Sequence, residues 1–504
     1  MVAAAYLVGA GPGAPGLITV RGLQVLARAQ VLVYDSACHP ALLDHAPEEA
    51  ERIRVGSWPD GRRMPQAQIN ALLVERARAG LTVVRLKNGD PLTFGRGGEE
   101  AEALAEAGLT FEIVPGVSAG VAAAALAAIP VTQKGLSSAV SYAIVQPGSP
   151  APCELERLAE RGSTLVLYLE PASIRSIADA LIEGGRPRAT PVAVVEAAST
   201  PGQKVFAGAL EDIAERAGAA RAPLVMIVGQ AVSLRERLAW REKRPLHGRT
   251  VVVTRARAQA GEMVSGLEEL GAEVLLAPCI ETVAPPSWAL LDEAIERIGE
   301  YDWLVLTSAN GVEAFLSRLR ERGRDLRALG GVRIAAVGPA TAGCLRAAYL
   351  EPDLVAEVFN AAALADGFAG MGVGGKRFLI VRALAGREAL PEALRALGAS
   401  VTVAPAYQTV CPATDPEPVR RRFTEGRLSA VTFASPSAVR GFVRLLGEHE
   451  AREVLARTPI AVIGPTTREA VEQLGLRAAV VAGEATARSL VEALAAYLGN
   501  SPVT

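Results

Sequence analysis

Three stretches in the first half of the chain end an apolar run in a loop whose composition could hold a ligand. They are Gly9-Ala10-Gly11-Pro12-Gly13, the run from Gly89-Asp90-Pro91 through Thr93 and Phe94 to Arg96-Gly97-Gly98, and Pro115-Gly116-Val117-Ser118-Ala119. Glycine opens backbone conformations closed to other residues and lets a ligand approach the main chain. Pro12 and Pro15 remove backbone donors, so the first loop is not the pyrophosphate cradle of a dinucleotide fold, and alone it reads equally as a tight turn. Asp35 closes the run Val31-Leu-Val-Tyr34, where a strand-end carboxylate can bind backbone amides. Arg96 does not readily lose its proton, so it suits charge stabilisation and carboxylate binding; otherwise it is a solvated charge.

The second half repeats another arrangement. Thr307-Ser308-Ala309-Asn310-Gly311, Val337-Gly338-Pro339-Ala340-Thr341, Phe433-Ala434-Ser435-Pro436-Ser437 and Ile463-Gly464-Pro465-Thr466-Thr467 each place Ser, Thr or Gly where a strand gives way to a helix. Such residues suit helix N-caps and leave backbone N–H groups and positive dipole ends above a sheet. Repeated, they make an anion-receiving cleft with few basic side chains; singly, each is explained by capping. Tyr407 on its own reads as a strand tyrosine that packs with its hydroxyl wet.

Elements that would position these groups follow from the pattern of the chain. Short aliphatic runs alternate with longer helical patterns, which predicts α/β units on largely parallel sheets. In the second half, strands are expected at Val251 to Thr254, Val274 to Ala277, Trp303 to Thr307, Ile334 to Val337, Phe378 to Val381, Val401 to Pro405, Ala430 to Ala434 and Ile460 to Ile463. A charged stretch ending in Pro245, followed by Thr250-Val-Val-Val-Thr, marks the clearest boundary. With 504 residues, several compact units are expected, and 50% hydrophobic content with only 4% aromatics predicts cores of Ala, Val and Leu. The 52 basic residues nearly cancel the 54 acidic ones, so no global field favours a nucleic acid or an anionic membrane. Five dispersed cysteines and four scattered histidines give no metal-ligand spacing, so no metal is expected. The N-terminus has no basic segment before its glycine-rich turn, and Val117 to Pro130 is too short to span a bilayer. A cytoplasmic setting is expected.

Gly9 to Gly13, Tyr34-Asp35, Lys87 to Glu100, Pro115 to Ala119 and the closing Leu234-Arg-Glu-Arg-Leu-Ala-Trp240 together resemble the uroporphyrinogen-III C-methyltransferase family of tetrapyrrole methylases. The resemblance covers about residues 3–241. It implies two α/β lobes that bind S-adenosylmethionine in the cleft between them and methylate a polyacid tetrapyrrole. It places cofactor contacts at Gly11, Pro12, Gly13, Asn88, Gly89, Asp90, Thr93, Ser118, Ala119, Leu169 and Ala198, mostly through the main chain. Asp35 matches the family's proton acceptor, and Arg96 is taken as a catalytic cation. The chain departs from the family at Ser36, at Ser57 in place of a lysine proton donor, at Asn88, at Gln133, at Gln146-Pro147-Gly148, at Leu169 in place of a methionine and at Ala198. The cofactor loops are kept better than the substrate wall, so cofactor binding is expected to persist while methyl transfer is slowed, altered or lost.

The second-half motifs, with Val253-Thr254-Arg255 and Tyr407-Gln408-Thr409-Val410, resemble uroporphyrinogen-III synthase over about residues 248–498. That resemblance implies cyclisation of hydroxymethylbilane with inversion of its last ring, and it requires no cofactor. Tyr407 matches a tyrosine thought to assist hydroxyl departure; Arg255, Thr307, Ser308, Thr341, Arg387, Ser435, Ser437, Thr466 and Thr467 would hold carboxylates. The implied fold is a two-lobed methylase at 1–241, with lobes about 1–116 and 117–241, then a linker at 242–248 and a two-lobed synthase with parallel sheets at 249–498. In the synthase, 249–284 plus 409–498 would form one lobe and 287–405 the other, joined by a two-stranded connector. The expected function is a fused enzyme that makes uroporphyrinogen-III and methylates it to precorrin-2, toward sirohaem or cobalamin. The alternatives are a synthase carrying a catalytically reduced methylase and a non-catalytic binder of acidic tetrapyrroles. Expected partners are tetrapyrroles, without nucleic acid or membrane, and a homodimer through the methylase domain is allowed.

Overall fold

The structure is a computed structural model that describes residues 3–56, 64–145, 162–356, 361–386 and 388–499. Ser57, Gln146 to Gly148 and Arg387 lie outside the described residues. The chain divides into two compact units, Met1–Gly248 with Leu270–Glu273, and Arg249–Glu269 with Val274 onward.

In the first unit, β1 (Ala5–Gly9), β2 (Val31–Asp35), β3 (Glu51–Val55), β4 (Val83–Lys87) and β5 (Phe111–Val114) form a sheet in the order β3-β2-β4-β1-β5. Every pairing in it is parallel. β1 and β4 are buried at every residue, as a parallel sheet covered on both faces requires. One face packs Val8, Leu26, Leu32 and Leu86; the other packs Leu7, Val33, Leu73 and Leu104 beneath the helices Gln66–Arg78 and Gly97–Glu106. Because β1 lies between β4 and β5, the loops leaving the carboxyl ends of these three strands are neighbours, which is where open α/β sheets receive ligands.

The second sheet contains β6 (Ala139–Ile144), β7 (Ser163–Leu169), β8 (Pro191–Glu196), β9 (Lys204–Ala209) and β10 (Leu224–Val228), in the order β6-β7-β10-β8-β9. The expectation of largely parallel sheets needs correction here. Only β6 and β7 run parallel; β7–β10, β10–β8 and β8–β9 are antiparallel. The reason is connection length: β8 and β9 are joined by residues 197–203, too few for the crossover that a parallel pair needs.

The second unit contains β11 (Thr250–Val253), β12 (Glu273–Leu276), β13 (Glu281–Val283), β14 (Trp303–Leu306), β15 (Arg333–Ala336), β16 (Leu354–Val355), β17 (Arg377–Ala383), β18 (Ser400–Val410), β19 (Leu428–Phe433), β20 (Ile460–Val462) and β21 (Val480–Val481). They form two sheets, β12-β11-β19-β20-β21 and β13-β18-β17-β14-β15-β16. The pairings from β14 to its neighbours, and of β11 with β19, are parallel. β18 is unusually long: its first part runs parallel to β17, the register shifts after Arg382, and Gln408 to Val410 then pair antiparallel with β13. Among the described residues, no helix is long and apolar enough to cross a membrane.

Candidate functional site

In the first unit, the loops after β1, β4 and β5 cross at three glycines. A Cβ on Gly116 would lie 2.3 Å from the Gly89 carbonyl oxygen and 2.7 Å from Gly9 Cα, so only glycine permits this approach. Gly11 and Gly89 exchange backbone hydrogen bonds of 3.2 and 2.8 Å, which fixes the first loop against the second. Asp90 fastens the remaining contacts. Its Oδ1 accepts the Leu92 and Thr93 amides, and its Oδ2 accepts the Gly116 amide at 3.0 Å. Burial opposes its charge, but these donors prevail and hold its carboxyl below the usual range.

Ser118 stands at the N-cap of the helix Ala119–Leu126 but does not cap it. Its hydroxyl instead lies 2.5 Å from the Tyr168 hydroxyl, which also accepts the Gly120 amide at 2.8 Å. Tyr168 comes from β7, so the second sheet reaches back to this loop, and Phe94 sits edge-on to its ring at 5.0 Å. The Ala14 amide donates to Ser199 Oγ at 3.1 Å, joining the first loop to the turn that holds Ala198. The structure therefore brings Gly11, Gly89, Asp90, Ser118 and Ala119 together and sets Gly13 against Ala198, Ser199 and Thr200. Leu169 and Ala198 are buried in the second sheet's cores, while Asn88 and Thr93 are exposed. Gly89 has a φ of 69°, and a Cβ there would stand 3.8 Å from the Ala119 nitrogen, so the main chain of the second loop lies in contact with the start of the helix Ala119–Leu126.

Next to the loop after β4 lies a charged cluster that the sequence alone did not single out. Arg85 Nη2 donates to Asp35 Oδ1 at 2.5 Å and Nε to Glu100 Oε1 at 3.0 Å. Lys87 Nζ donates to the same Glu100 oxygen at 2.8 Å, as does Gln66 Nε2 at 3.1 Å. The second Asp35 oxygen accepts the Asn88 amide at 3.0 Å. Arg85 and Lys87 are each 2% exposed and Glu100 0%. Burial works against the Arg85 charge, yet the two carboxylates raise its pKa above the ordinary value; for Lys87, burial and the neighbouring Arg85 prevail and lower it. Arg96 lies apart from this cluster. It is exposed, adopts a left-handed backbone at φ 55°, and forms a two-pronged ion pair with Glu99.

In the second unit, Tyr407 is 9% exposed, and its hydroxyl lies 2.9 Å from Ser308 Oγ. Ser308 also caps the helix Ala309–Glu321, accepting the Gly311 amide at 3.1 Å. Thr307 donates to the Val381 carbonyl. Ser435 caps the helix Pro436–Leu446 through the Ala438 amide, and Ser437 accepts from Arg440. Thr341 and Thr467 are buried in the first turns of their helices, whereas Thr466 is exposed. Arg255 is half-buried with no ion pair or hydrogen bond among the described residues, and burial lowers its pKa. The arrangement pairs a phenol with a serine whose oxygen is already engaged, beside helix starts suited to anions. His39, His45 and His449 are exposed and His247 is half-buried.

Comparisons with known proteins agree with this division. Residues 5–214 match the family described as tetrapyrrole (corrin/porphyrin) methylases, and residues 261–492 match uroporphyrinogen-III synthase HemD. The chain is 34% identical over 492 residues to "Porphyrin biosynthesis protein HemD" of Ruminiclostridium josui, covering 97% of each. It is 36% identical over 332 residues to "Uroporphyrinogen-III C-methyltransferase" of Bacillus subtilis, covering 64% of this chain and 67% of that one. Among solved structures, the uroporphyrin-III C-methyltransferase of Thermus thermophilus complexed with S-adenosylhomocysteine is 36% identical, covering 46% of this chain and 93% of that chain with a TM-score of 0.40.

Proposed function

We propose a function for a chain that belongs to the family in which a tetrapyrrole methylase precedes a uroporphyrinogen-III synthase, and that is therefore an enzyme of tetrapyrrole biosynthesis with both activities. The second unit cyclises hydroxymethylbilane to uroporphyrinogen-III, and the first methylates that product to precorrin-2, toward sirohaem or cobalamin. The observation that supports this reading is the glycine crossing of Gly9, Gly89 and Gly116, which draws the three loops together next to Asp35, whose carboxylate accepts the Asn88 amide.

S-adenosylmethionine, when bound, supplies an electrophilic methyl group on a sulfonium. Pro12, Gly89, Ser118 and Ala119 would hold it, Asp35 takes the proton lost from the macrocycle, and Arg96 offers a cation to the substrate's acid side chains. In the second unit, Tyr407 donates to the departing hydroxyl. Arg255, Ser435, Ser437, Thr466 and the helix starts at Thr307, Thr341 and Thr467 hold carboxylates so that closure occurs at the crowded carbon. Fusion raises the local concentration of one activity's product near the other.

A second reading, a synthase whose first unit binds cofactor with slow transfer, is favoured by Asp35 having both oxygens already engaged. One coupled assay separates them: hydroxymethylbilane alone, then with S-adenosylmethionine, followed by isomer analysis and product mass. A dimethylated type-III product supports the first reading. An unmethylated type-III product supports the second, and no cyclisation overturns both.

A further inference from the structure

The buried cluster beside the loop after β4 holds two cations and two carboxylates from three elements. Arg85 and Lys87 come from β4, Glu100 from the helix Gly97–Glu106 and Asp35 from the end of β2. Three members are sealed, but the Asp35 side chain is 25% exposed, so it is the one carboxylate of the four groups that a ligand can reach. Glu100 collects three donors on Oε1, while its buried Oε2 has no hydrogen-bond partner. A purely structural ion cluster gains most when each charge is fully bonded, and this one forgoes that bond while keeping Lys87 beside Arg85.

We propose that Lys87 and Glu100 are positioning residues for Asp35, holding it through Arg85 beside the loop after β4 and fixing its charge by the balance of the buried cluster. This rests on the reading of Asp35 as proton acceptor. In that step a carbon–hydrogen bond of the macrocycle breaks, the pair stays with the carbon framework, and the proton forms an O–H bond on Asp35. The cluster then holds Arg85 and Lys87 against Glu100 alone. Glu100 therefore limits the penalty of proton uptake, and Lys87 adds to it. Among the described residues, the Asp35 charge also acts on the Cys38 thiol, which burial and Asp35 push up to about 12, and Asp35 stands opposite the apolar Val55 of β3.

The test uses the full chain with Glu100→Gln, Lys87→Met, the double variant and Asp35→Asn. The primary readout is the carbon-13 titration of the Asp35 carboxyl in aspartate-labelled protein without substrate, assigned by its disappearance in Asp35→Asn. Glu100→Gln is expected to move that titration down by on the order of one pH unit and Lys87→Met to move it up by a similar amount, with the double variant near the parent. The acid limb of methyl transfer should follow the same order, with S-adenosylhomocysteine affinity held within about twofold. Shifts in the same direction, or none, overturn the proposal. If Glu100→Gln fails to fold, Lys87→Met alone decides it, since an unmoved Asp35 titration is equally fatal. Transfer that survives Asp35→Asn instead removes the proton-acceptor reading, whatever the titrations show.

Discussion

Replacing Tyr407 by Phe takes one oxygen from a ring that otherwise packs in the core beside Leu304 and Leu306. Ser308 Oγ keeps its bond to the Gly311 amide, so the helix cap survives. What is lost is the 2.9 Å hydroxyl pair, worth a net of about 0.5–1.5 kcal/mol. Chemistry responds on another scale. Because Ser308 can donate to the phenol oxygen while accepting from Gly311, the phenol proton is free to point at a departing hydroxyl. A general acid so placed should cost about 10- to 1000-fold in rate when removed, or about 1.4–4 kcal/mol. The assay is rapid-quench cyclisation of hydroxymethylbilane with isomer analysis after oxidation, beside urea unfolding followed by circular dichroism. Expected is a large drop in rate and in the type-III fraction with an almost unmoved unfolding midpoint. Ser308→Ala should lose both, because it removes the cap, at about 1 kcal/mol, as well as the partner of Tyr407. A Tyr407→Phe protein with the parent's rate and isomer ratio would refute the reasoning and leave the phenol as packing.

Other outcomes follow from contacts already described. Gly116→Ala should abolish the heat of S-adenosylhomocysteine binding without altering cyclisation, since its Cβ would meet backbone of Gly89 and Gly9 at 2.3 and 2.7 Å; retained binding would show that the loops yield. Arg255→Gln should raise KM for hydroxymethylbilane by about tenfold and flatten its salt dependence, because an unpaired half-buried cation gains most from a carboxylate; an unchanged KM would remove it from the site. At pH 8 iodoacetamide should label exposed Cys411 in the native protein and spare Cys38 and Cys279, whose thiols burial pushes up to about 12, so that almost no thiolate forms. Mass analysis of native samples modified at Cys38 would contradict this.

The strands and the loops that follow them were legible because each ends an aliphatic run at Gly, Ser, Thr or Asp, and β14, β17 and β19 fall within two residues of the positions their Val and Leu patterns predict. Strand direction was not legible in the second sheet. Lys204–Ala209 was not singled out as a strand, and only the short turn between it and Pro191–Glu196 makes the two a hairpin. The charged cluster was hidden for a different reason. Arg85 and Lys87 alternate with apolar residues in Val83–Lys87, a pattern that normally denotes a strand with one wet face, and Glu100 sits in a helix rich in glutamates. Burial of both faces becomes evident only when the helix lies over β4. Tyr168 was missed likewise: within Ser163–Leu169 it looks like a packing aromatic, and its hydroxyl acquires a role only beside Ser118.

The long strand β18 changes allegiance at one residue. Tyr407 faces Ala383 just past the register shift, and Gln408 onward belongs to the narrow antiparallel arm with β13. The phenol is thus mounted where the parallel sheet gives way to a two-stranded arm rather than in the middle of the sheet. An insertion that lengthens the β13–β18 arm should therefore move the Tyr407 ring while leaving the six-stranded sheet intact, and on the proposed role of the phenol it should slow ring closure without unfolding the unit.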